Sequence, residues 1–582
     1  MAKRGPSADD ALLLLAALLP ALPFLSRALH IDEVYFIEVA DDLRLHPADP
    51  FGGAAGLEDV DHRVFRRLGA GPNTFESMSH PPLVPYALAL LLELCGGVRE
   101  SLFRLAFLGF TLLAYRSMLV LARRFTTAPM FAFSFLVVSP VTLLCSSALV
   151  TDMAMTGLLL AALASFVYGV DEDKASPQAI AGALAGLAVL ARYVAVVWWP
   201  LAVLYVWLHR RRWRALTRAA LGFGLVLAPW VVENLWHHGE LHLLSATRHY
   251  LRFYEGESFT GLGLARRGIS DLAALGGLHL ALAAWVLLSR GRQAALVALP
   301  AAAIAGWLCL ANPLRIHELD LYSGGERLAL GLFVALGLTL PSLAVLGTGH
   351  VSSLPSGDDR GDQRARDRVF LGLWLVGSLL ATLLLLPFGA ARYLLPSLPP
   401  LILLLFAGVG QPGYPRRSRA WAVGLLIAGL ALGLGLAEAD RRLANAYRDF
   451  AAFVPGGYPG RRVFFAGEWG FRFYMHREGA RYLTSLDESP EVGDIVVRPQ
   501  NAGMHEISLR LRSRLARRAE YVSGDGWPLR LQGFAARAGY HSSGWGLLPF
   551  ALSRAPLERF SVFEVVSSER APSGVPSAGE AG

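Results

Sequence analysis

The sequence predicts a polytopic α-helical membrane protein, with about 13 transmembrane helices and a small external α/β domain at its C-terminal end. Three observations carry that prediction. Of 582 residues, 54 % are hydrophobic and 17 % charged, whereas a soluble domain carries about a quarter charged residues. Apolar runs of near-membrane length recur along the first 438 residues. Beyond them the character changes, with Arg462-Val463-Phe464-Phe465 and Asp494-Ile495-Val496-Val497 reading as short strands around a mixed segment. The expected division is 1–438 for the membrane domain, 439–570 for the external domain and 571–582 for a disordered tail rich in Pro, Ser, Gly and Ala.

Taken in order, Ala11–Leu29 is the first run, broken by Pro20, Pro23, Ser26 and Arg27. At about 1.5 Å per residue it crosses a hydrocarbon core of roughly 30 Å. Lys3 and Arg4 before it resemble the start of a signal sequence. No small-x-small cleavage site follows, so the run reads as a retained anchor. Then comes His30-Ile31-Asp32-Glu33-Val34-Tyr35. Two adjacent carboxylates are costly in hydrocarbon, so they face water, a polar cavity or headgroups. In Val34–Leu45, Val34, Ile37, Ala40 and Leu43 share a face opposite Glu38, Asp41 and Asp42, the pattern of a helix lying in the interface plane. Residues 46–79 form a loop too polar for the bilayer, ending at His80-Pro81-Pro82. Further apolar runs follow at about 82–97, 101–122, 129–150, 152–170, 177–192, 194–209, 215–235, 270–289, 293–311, 326–346, 369–388, 392–410 and 418–437.

Basic clusters orient the runs. His209-Arg210-Arg211-Arg212-Trp213-Arg214 marks a cytoplasmic end, as do Ser289-Arg290-Gly291-Arg292, the segment 347–368 and Arg416-Arg417-Ser418-Arg419. Residues 236–269 and everything after Leu436 then lie outside. Parity between His80 and Asp152 allows an even number of crossings, yet three runs lie there, so one of them does not fully span. The expected order is seven spans, the external loop 236–269, six spans and the external domain. The net charge of +8 comes from arginine clusters between apolar runs and does not imply nucleic acid. Cys95, Cys145 and Cys309 lie in apolar runs and read as small core residues.

On this topology Asp32, Glu33, His80, Asp152, Arg192-Tyr193, the loop from Glu233 to Arg267, Arg315–Glu318 and Arg392-Tyr393 share the external side. Arginines there run against the positive-inside tendency. Each either snorkels to headgroups or serves a phosphate, for which a planar guanidinium is suited. Asp32 and Glu33 diverge by about 100° on a helix. They cannot flank one bond as in most glycosidases, so one acid for chemistry and one for orientation is the natural division. His80 before two prolines has an extended backbone and either caps the next helix or faces the site. His237, His238 and His242 are where a divalent metal would bind, but no second ligand cluster has convincing spacing, so no metal or cofactor is assigned.

Asp32-Glu33-Val34-Tyr35 after the first run, Pro81-Pro82-Leu83, Leu149-Val150-Thr151-Asp152, Pro229-Trp230 with Asn234, and Ala391-Arg392-Tyr393-Leu394-Leu395-Pro396 together resemble the GT-C glycosyltransferases. The nearest subgroup is family 39, the protein O-mannosyltransferases and the lipid A aminoarabinose transferases. The resemblance covers about residues 10–410 and rests on the order and spacing of motifs that are individually weak. It implies a membrane enzyme that moves a sugar from a polyprenyl-phosphate carrier to an acceptor (lipid, glycan or protein) on the external face, with inversion. It implies Asp32 as general base and Glu33 as the acid that orients it. Arg392, with His80 and Arg192, would stabilise the departing lipid phosphate, and Tyr35, Asp152 and Tyr393 complete the substrate-binding set. Family members often have Lys before Pro-Pro, where this chain has His80. The absence of a phosphate-binding glycine motif favours a lipid-linked donor over a nucleotide sugar. The expected location is a bacterial inner membrane, with the site facing the periplasm or exterior. Two other classes remain open: a secondary transporter, which would hold its ionisable groups near mid-membrane, and a non-catalytic membrane binding protein.

Overall fold

The computed structural model describes residues 8–51, 75, 78–253, 259–346, 359–407, 418–483, 489–503 and 507–566. The expected tail at 571–582 and most of the polar loop at 46–79 lie outside them. Among the described residues, seven helices are long and apolar enough to cross a membrane, and eight if the pair Gly261–Gly277 and Leu280–Arg290, bent by 72°, counts as one span. The polytopic helical membrane class is borne out. Small residues let the long helix Arg214–His237 approach the shorter Ala175–Ala191 closely: a Cβ on Gly182 would strike the carbonyl of Ala219, and one on Gly222 that of Ala179. Leu221, Leu225, Trp236, Leu296 and Leu299 stay exposed along the helices, the surface expected to meet lipid.

The long helices do not reach the expected thirteen. Leu83–Cys95, Ala175–Ala191, Tyr193–Leu208 and Ala391–Phe406 are apolar but shorter, and the first helix, Ala8–Ala21, has 14 residues before a 3-10 turn at Leu22–Phe24. Proline is the physical reason in the 129–150 run. It starts one helix at Pro129–Val137 and a second at Pro140–Cys145, so the run is two short pieces. Of the three runs between 82 and 150, only Glu100–Phe125 is a full-length helix, where the parity argument expected two.

The boundary expected between 438 and 439 falls inside one continuous helix of 40 residues, Ser418–Gly457. Hydropathy ends near Leu436, but Ala437–Tyr447 holds four alanines with Glu438, Arg441, Arg442 and Leu443, which extend a helix as well in water as in lipid. After it come a five-stranded sheet, in the order Arg481–Tyr482, Val463–Phe465, Ile495–Pro499, Glu558–Val565 and Leu515–Ser523, and the helix Trp469–Arg477. The first three strands run parallel and the last two join antiparallel. One face of this sheet shares the main core: Phe560 stacks on Phe450 of the long helix, ring centroids 3.9 Å apart. The other face has a smaller core of its own around Phe464, Val496 and Leu511.

Candidate active site

The chain turns sharply between the first helix and Glu33–Leu45. Ile31 has φ +49°, a left-handed conformation that a β-branched residue rarely adopts. The turn places Asp32 at the start of the Glu33–Leu45 helix and sends the two adjacent carboxylates in different directions.

Glu33 points inward and is 1 % exposed. Its Oε1 accepts from Arg27 Nη2 and Arg104 Nη1, both at 2.7 Å, and from the Leu149 amide at 3.1 Å. Its Oε2 accepts from Arg104 Nη2 at 2.7 Å and the His30 amide at 2.9 Å. Burial alone would raise this carboxyl's pKa, but the Arg104 and Arg27 guanidiniums outweigh it and hold it at about 2. With five donors, both oxygens are filled.

Asp32 points the other way and its side chain keeps 29 % exposure. Arg392 Nη2 donates to its Oδ2 at 2.7 Å. The same guanidinium has its Nε 3.7 Å from Asp152 Oδ2, and that Nε has no hydrogen-bond partner. Arg192 donates to Asp152 Oδ1. Tyr393 lies beneath both cations, its ring centroid 4.5 Å from Arg192 and 5.5 Å from Arg392. The two arginines sit in like settings: each follows an alanine, precedes a tyrosine and opens a 3-10 segment, Tyr193–Val197 or Ala391–Ser397. His80 stacks on Phe36 at 5.7 Å. Burial first, then Arg192, lowers its pKa from 6.5 to about 3, so the ring is neutral and offers a hydrogen bond, not a charge.

A narrow cleft opens beside these groups. Asp152, Arg192, Arg392 and Tyr393 line its polar end, and apolar residues such as Met155, Leu159, Val197 and Ala381 line the rest. An anionic head with an apolar tail matches such a lining chemically. Of the eight residues named from sequence, Asp32, Asp152, Arg192, Arg392 and Tyr393 form one connected group. His80 lies within electrostatic reach of Arg192, Asp152 and Arg392. Glu33 stands behind them in its cage. Tyr35 points away, its hydroxyl donating to Glu468 at 2.8 Å.

The region after residue 457 supports both halves of this group, which sequence reasoning did not anticipate. The Leu29 amide donates to Tyr474 Oη at 2.7 Å, Arg472 pairs with Glu38, and a Cβ on Gly470 would strike the Leu29 carbonyl. The segment leading to Arg392 is held the same way. The Ala391 amide donates to the Tyr540 carbonyl at 2.9 Å, and the Ser543 amide to that of Gly389 at 2.7 Å. Arg27 and Arg104 were also missed. The available signal was an arginine inside an apolar run, which demands a counter-charge.

For a metal, His238 has partners that spacing did not offer. Asp49, Glu233 and His238 bring ligand atoms within 4.8 Å of one another, with His238 Nε2 3.2 Å from Asp49 Oδ1. Neither Glu233 oxygen has a hydrogen-bond partner. His242 is turned to Tyr193, Nδ1 to Oη 2.7 Å.

Residues 79–236 match the family described as dolichyl-phosphate-mannose-protein mannosyltransferase. Among solved structures the chain is similar to ArnT from Cupriavidus metallidurans bound to undecaprenyl phosphate, at 16 % identity over 96 % of this chain and 97 % of that one, TM-score 0.44. It is also similar to the Archaeoglobus fulgidus oligosaccharyltransferase, at 13 % identity over 81 % and 64 %, TM-score 0.43. No curated protein matches the chain. The family match spans Pro81-Pro82-Leu83, Asp152, Arg192 and Pro229-Trp230, several of the motifs on which the resemblance was drawn. Residues 79–236 of this polytopic helical membrane protein are thus similar to a family described as mannosyltransferases.

Proposed function

We propose that this protein transfers a sugar from a polyprenyl-phosphate carrier to an acceptor hydroxyl or amine on the external face of the membrane, with inversion at the anomeric carbon. The observation that carries this reading is Arg392, joined to the part-exposed Asp32 at the charged head of an apolar-walled cleft. The acceptor attacks the anomeric carbon as its bond to the phosphate oxygen breaks. Asp32 takes the acceptor's proton, and the electron pair leaves with the polyprenyl phosphate. Arg392 and Arg192 face the negative charge that grows on the leaving phosphate, and His80 adds a neutral donor. In this structure Arg392 is engaged with Asp32, so an arriving phosphate competes for the guanidinium and frees the base as it binds. Prenyl chain would occupy the Met155, Leu159, Val197 and Ala381 wall. Sidedness rests on the basic cluster Arg210–Arg214 marking the cytoplasmic end.

Reconstitution into liposomes with a radiolabelled polyprenyl-phosphate sugar tests the reading. Release of the carrier phosphate with label passing to an added acceptor is expected. Donor that binds and stays intact with every acceptor class offered would point to a binding protein, and labelled donor or sugar crossing the bilayer uncleaved would point to a transporter.

A further inference from the structure

Three residues that no step above uses converge behind the Glu33 cage. His30 lies two residues before Asp32, Asp440 is on the long helix Ser418–Gly457, and His541 belongs to the loop whose backbone pins the Arg392 segment. One ligand atom from each lies within 4.8 Å of the others. Asp440 Oδ1 is 3.0 Å from His541 Nε2 and 3.8 Å from His30 Nε2. Bonds of about 2.0–2.1 Å from a tetrahedral zinc ion set neighbouring ligand atoms about 3.3 Å apart, between those two separations.

The surrounding groups point the same way. His30 is 2 % exposed, and neither of its ring nitrogens has a hydrogen-bond partner; His541 Nδ1 has none either. An imidazole ring always carries at least one N–H or a basic lone pair, and leaving both nitrogens unmatched in the interior is costly. Asp440 Oδ2 is held by Arg27, which fixes the carboxylate and leaves Oδ1 facing the two rings, as outer partners of metal ligands do. A hard ion such as magnesium or calcium, which wants several oxygens, finds a single free carboxylate oxygen here. Two imidazoles and one carboxylate suit a borderline ion.

We propose that His30, Asp440 and His541 bind a zinc ion, with a water as fourth ligand. The ion fastens the turn before Asp32 to the long helix and to the loop that holds Arg392, and so sets the spacing between the two. It is distinct from the Asp49, Glu233 and His238 cluster and does not depend on the transfer reaction proposed above.

The test uses the full chain purified in detergent, stripped with a chelator and reloaded with Zn²⁺ alone, with zinc measured by elemental mass spectrometry. Stoichiometric zinc is expected in the parent and in Glu233→Gln, and its loss in His541→Ala. The Co²⁺-loaded His541→Cys variant is expected to gain a thiolate-to-cobalt charge-transfer band. That band decides the matter even if His541→Ala fails to fold, because the thiol is itself a ligand and reports the bound metal directly. Zinc retained in His541→Ala, zinc lost only in Glu233→Gln, or a cobalt-loaded His541→Cys protein without the band would each overturn the proposal.

Discussion

The two sides of the Asp32–Glu33 peptide bond hold two ionic clusters built from the same residue types to opposite ends. On one side Glu33 accepts five hydrogen bonds, two from Arg104, one from Arg27 and two from backbone amides, and is 1 % exposed. On the other, Asp32 accepts from Arg392, which lines the cleft, and keeps 29 % of its side chain exposed. A saturated carboxylate has nothing left to offer a substrate, and its removal strands the buried Arg104 and leaves Arg27 with Asp440 alone. A part-open carboxylate beside a cation with a free Nε can exchange partners, which is what a reaction site needs. Adjacent in sequence, the two acids divide between a closed cage and a part-open cluster, and substitutions can break that division at either side.

The largest effect is expected from Glu33→Ala. Removing one partner of a buried ion pair costs about 3–5 kcal/mol, here with Arg104 and Arg27 both left facing an empty site. Thermal unfolding of the detergent-solubilised protein should show a large drop or failure to accumulate, and Glu33→Gln an intermediate loss. A Glu33→Ala protein that melts like the parent would show that the cage is not what holds the turn.

Asp32→Asn is the mirror experiment. It keeps the shape and removes the proposed base, and loss of general-base catalysis typically costs about 10²–10⁴-fold in rate. Unfolding should move little, because the position is part-exposed and the amide is nearly isosteric. Transfer at near-parent rate by a folded Asp32→Asn protein would end the assignment of Asp32 as base. If Glu33→Gln folded normally and were the dead variant, the two roles would have to be exchanged.

Arg392 sharpens the comparison because it belongs to the open cluster. Arg392→Ala removes a charge-assisted contact worth about 1.5–3 kcal/mol, or roughly 10–100-fold in the use of donor, and Arg392→Lys should recover part of it. Parent-like kinetics in both would make Arg392 a headgroup anchor. Gly470→Ala tests the support from outside: a Cβ there would strike the Leu29 carbonyl, pushing the helix Trp469–Arg477 off the turn before Asp32. Turnover should fall with donor KM nearly unchanged, since a misplacement of about 1 Å can cost up to about 10²-fold. A change in donor KM alone would place the clamp's role in binding instead.

The open cluster was largely legible in the sequence. Asp32, Asp152, Arg192 and Arg392 each abut an apolar run, and a charge at such an edge is visible without knowing its partner. The closed cluster was not. Glu33 meets Arg104 across 71 residues, and Arg27 meets Asp440 across 413, distances over which no periodicity carries information. The count of thirteen spans is not confirmed among the described residues, for a related reason. Hydropathy reads composition, while Pro129 and Pro140 decide whether an apolar run is one helix or two. The edge of the membrane region was placed where hydropathy fell, yet the helix runs on to Gly457 because helix propensity does not fall with it.

Acid separates the two clusters most gently. Glu33 has its pKa lowered from 4.5 to about 2, so the stability it confers is full above about pH 4.5 and drains away as pH falls toward 2. His80 has its pKa lowered from 6.5 to about 3. Its folded form stays neutral while the unfolded chain takes up a proton below pH 6.5, so its contribution is full above that value and falls with acidification toward pH 3. Between pH 6.5 and 4.5, therefore, the His80 side of the molecule responds and the Glu33 cage does not. The slope from one such histidine is at most about 1.4 kcal/mol per pH unit, reduced by whatever water reaches the ring. His242, lowered likewise to about 3, adds in the same direction. Melting temperatures of the parent and His80→Gln, measured from pH 7.5 to 5, should draw together as pH falls, because the variant has no proton to exclude at that position. Curves that stay parallel would mean that His80 is protonated in the folded protein, and the ring would then bring a positive charge, not a neutral donor, to the phosphate.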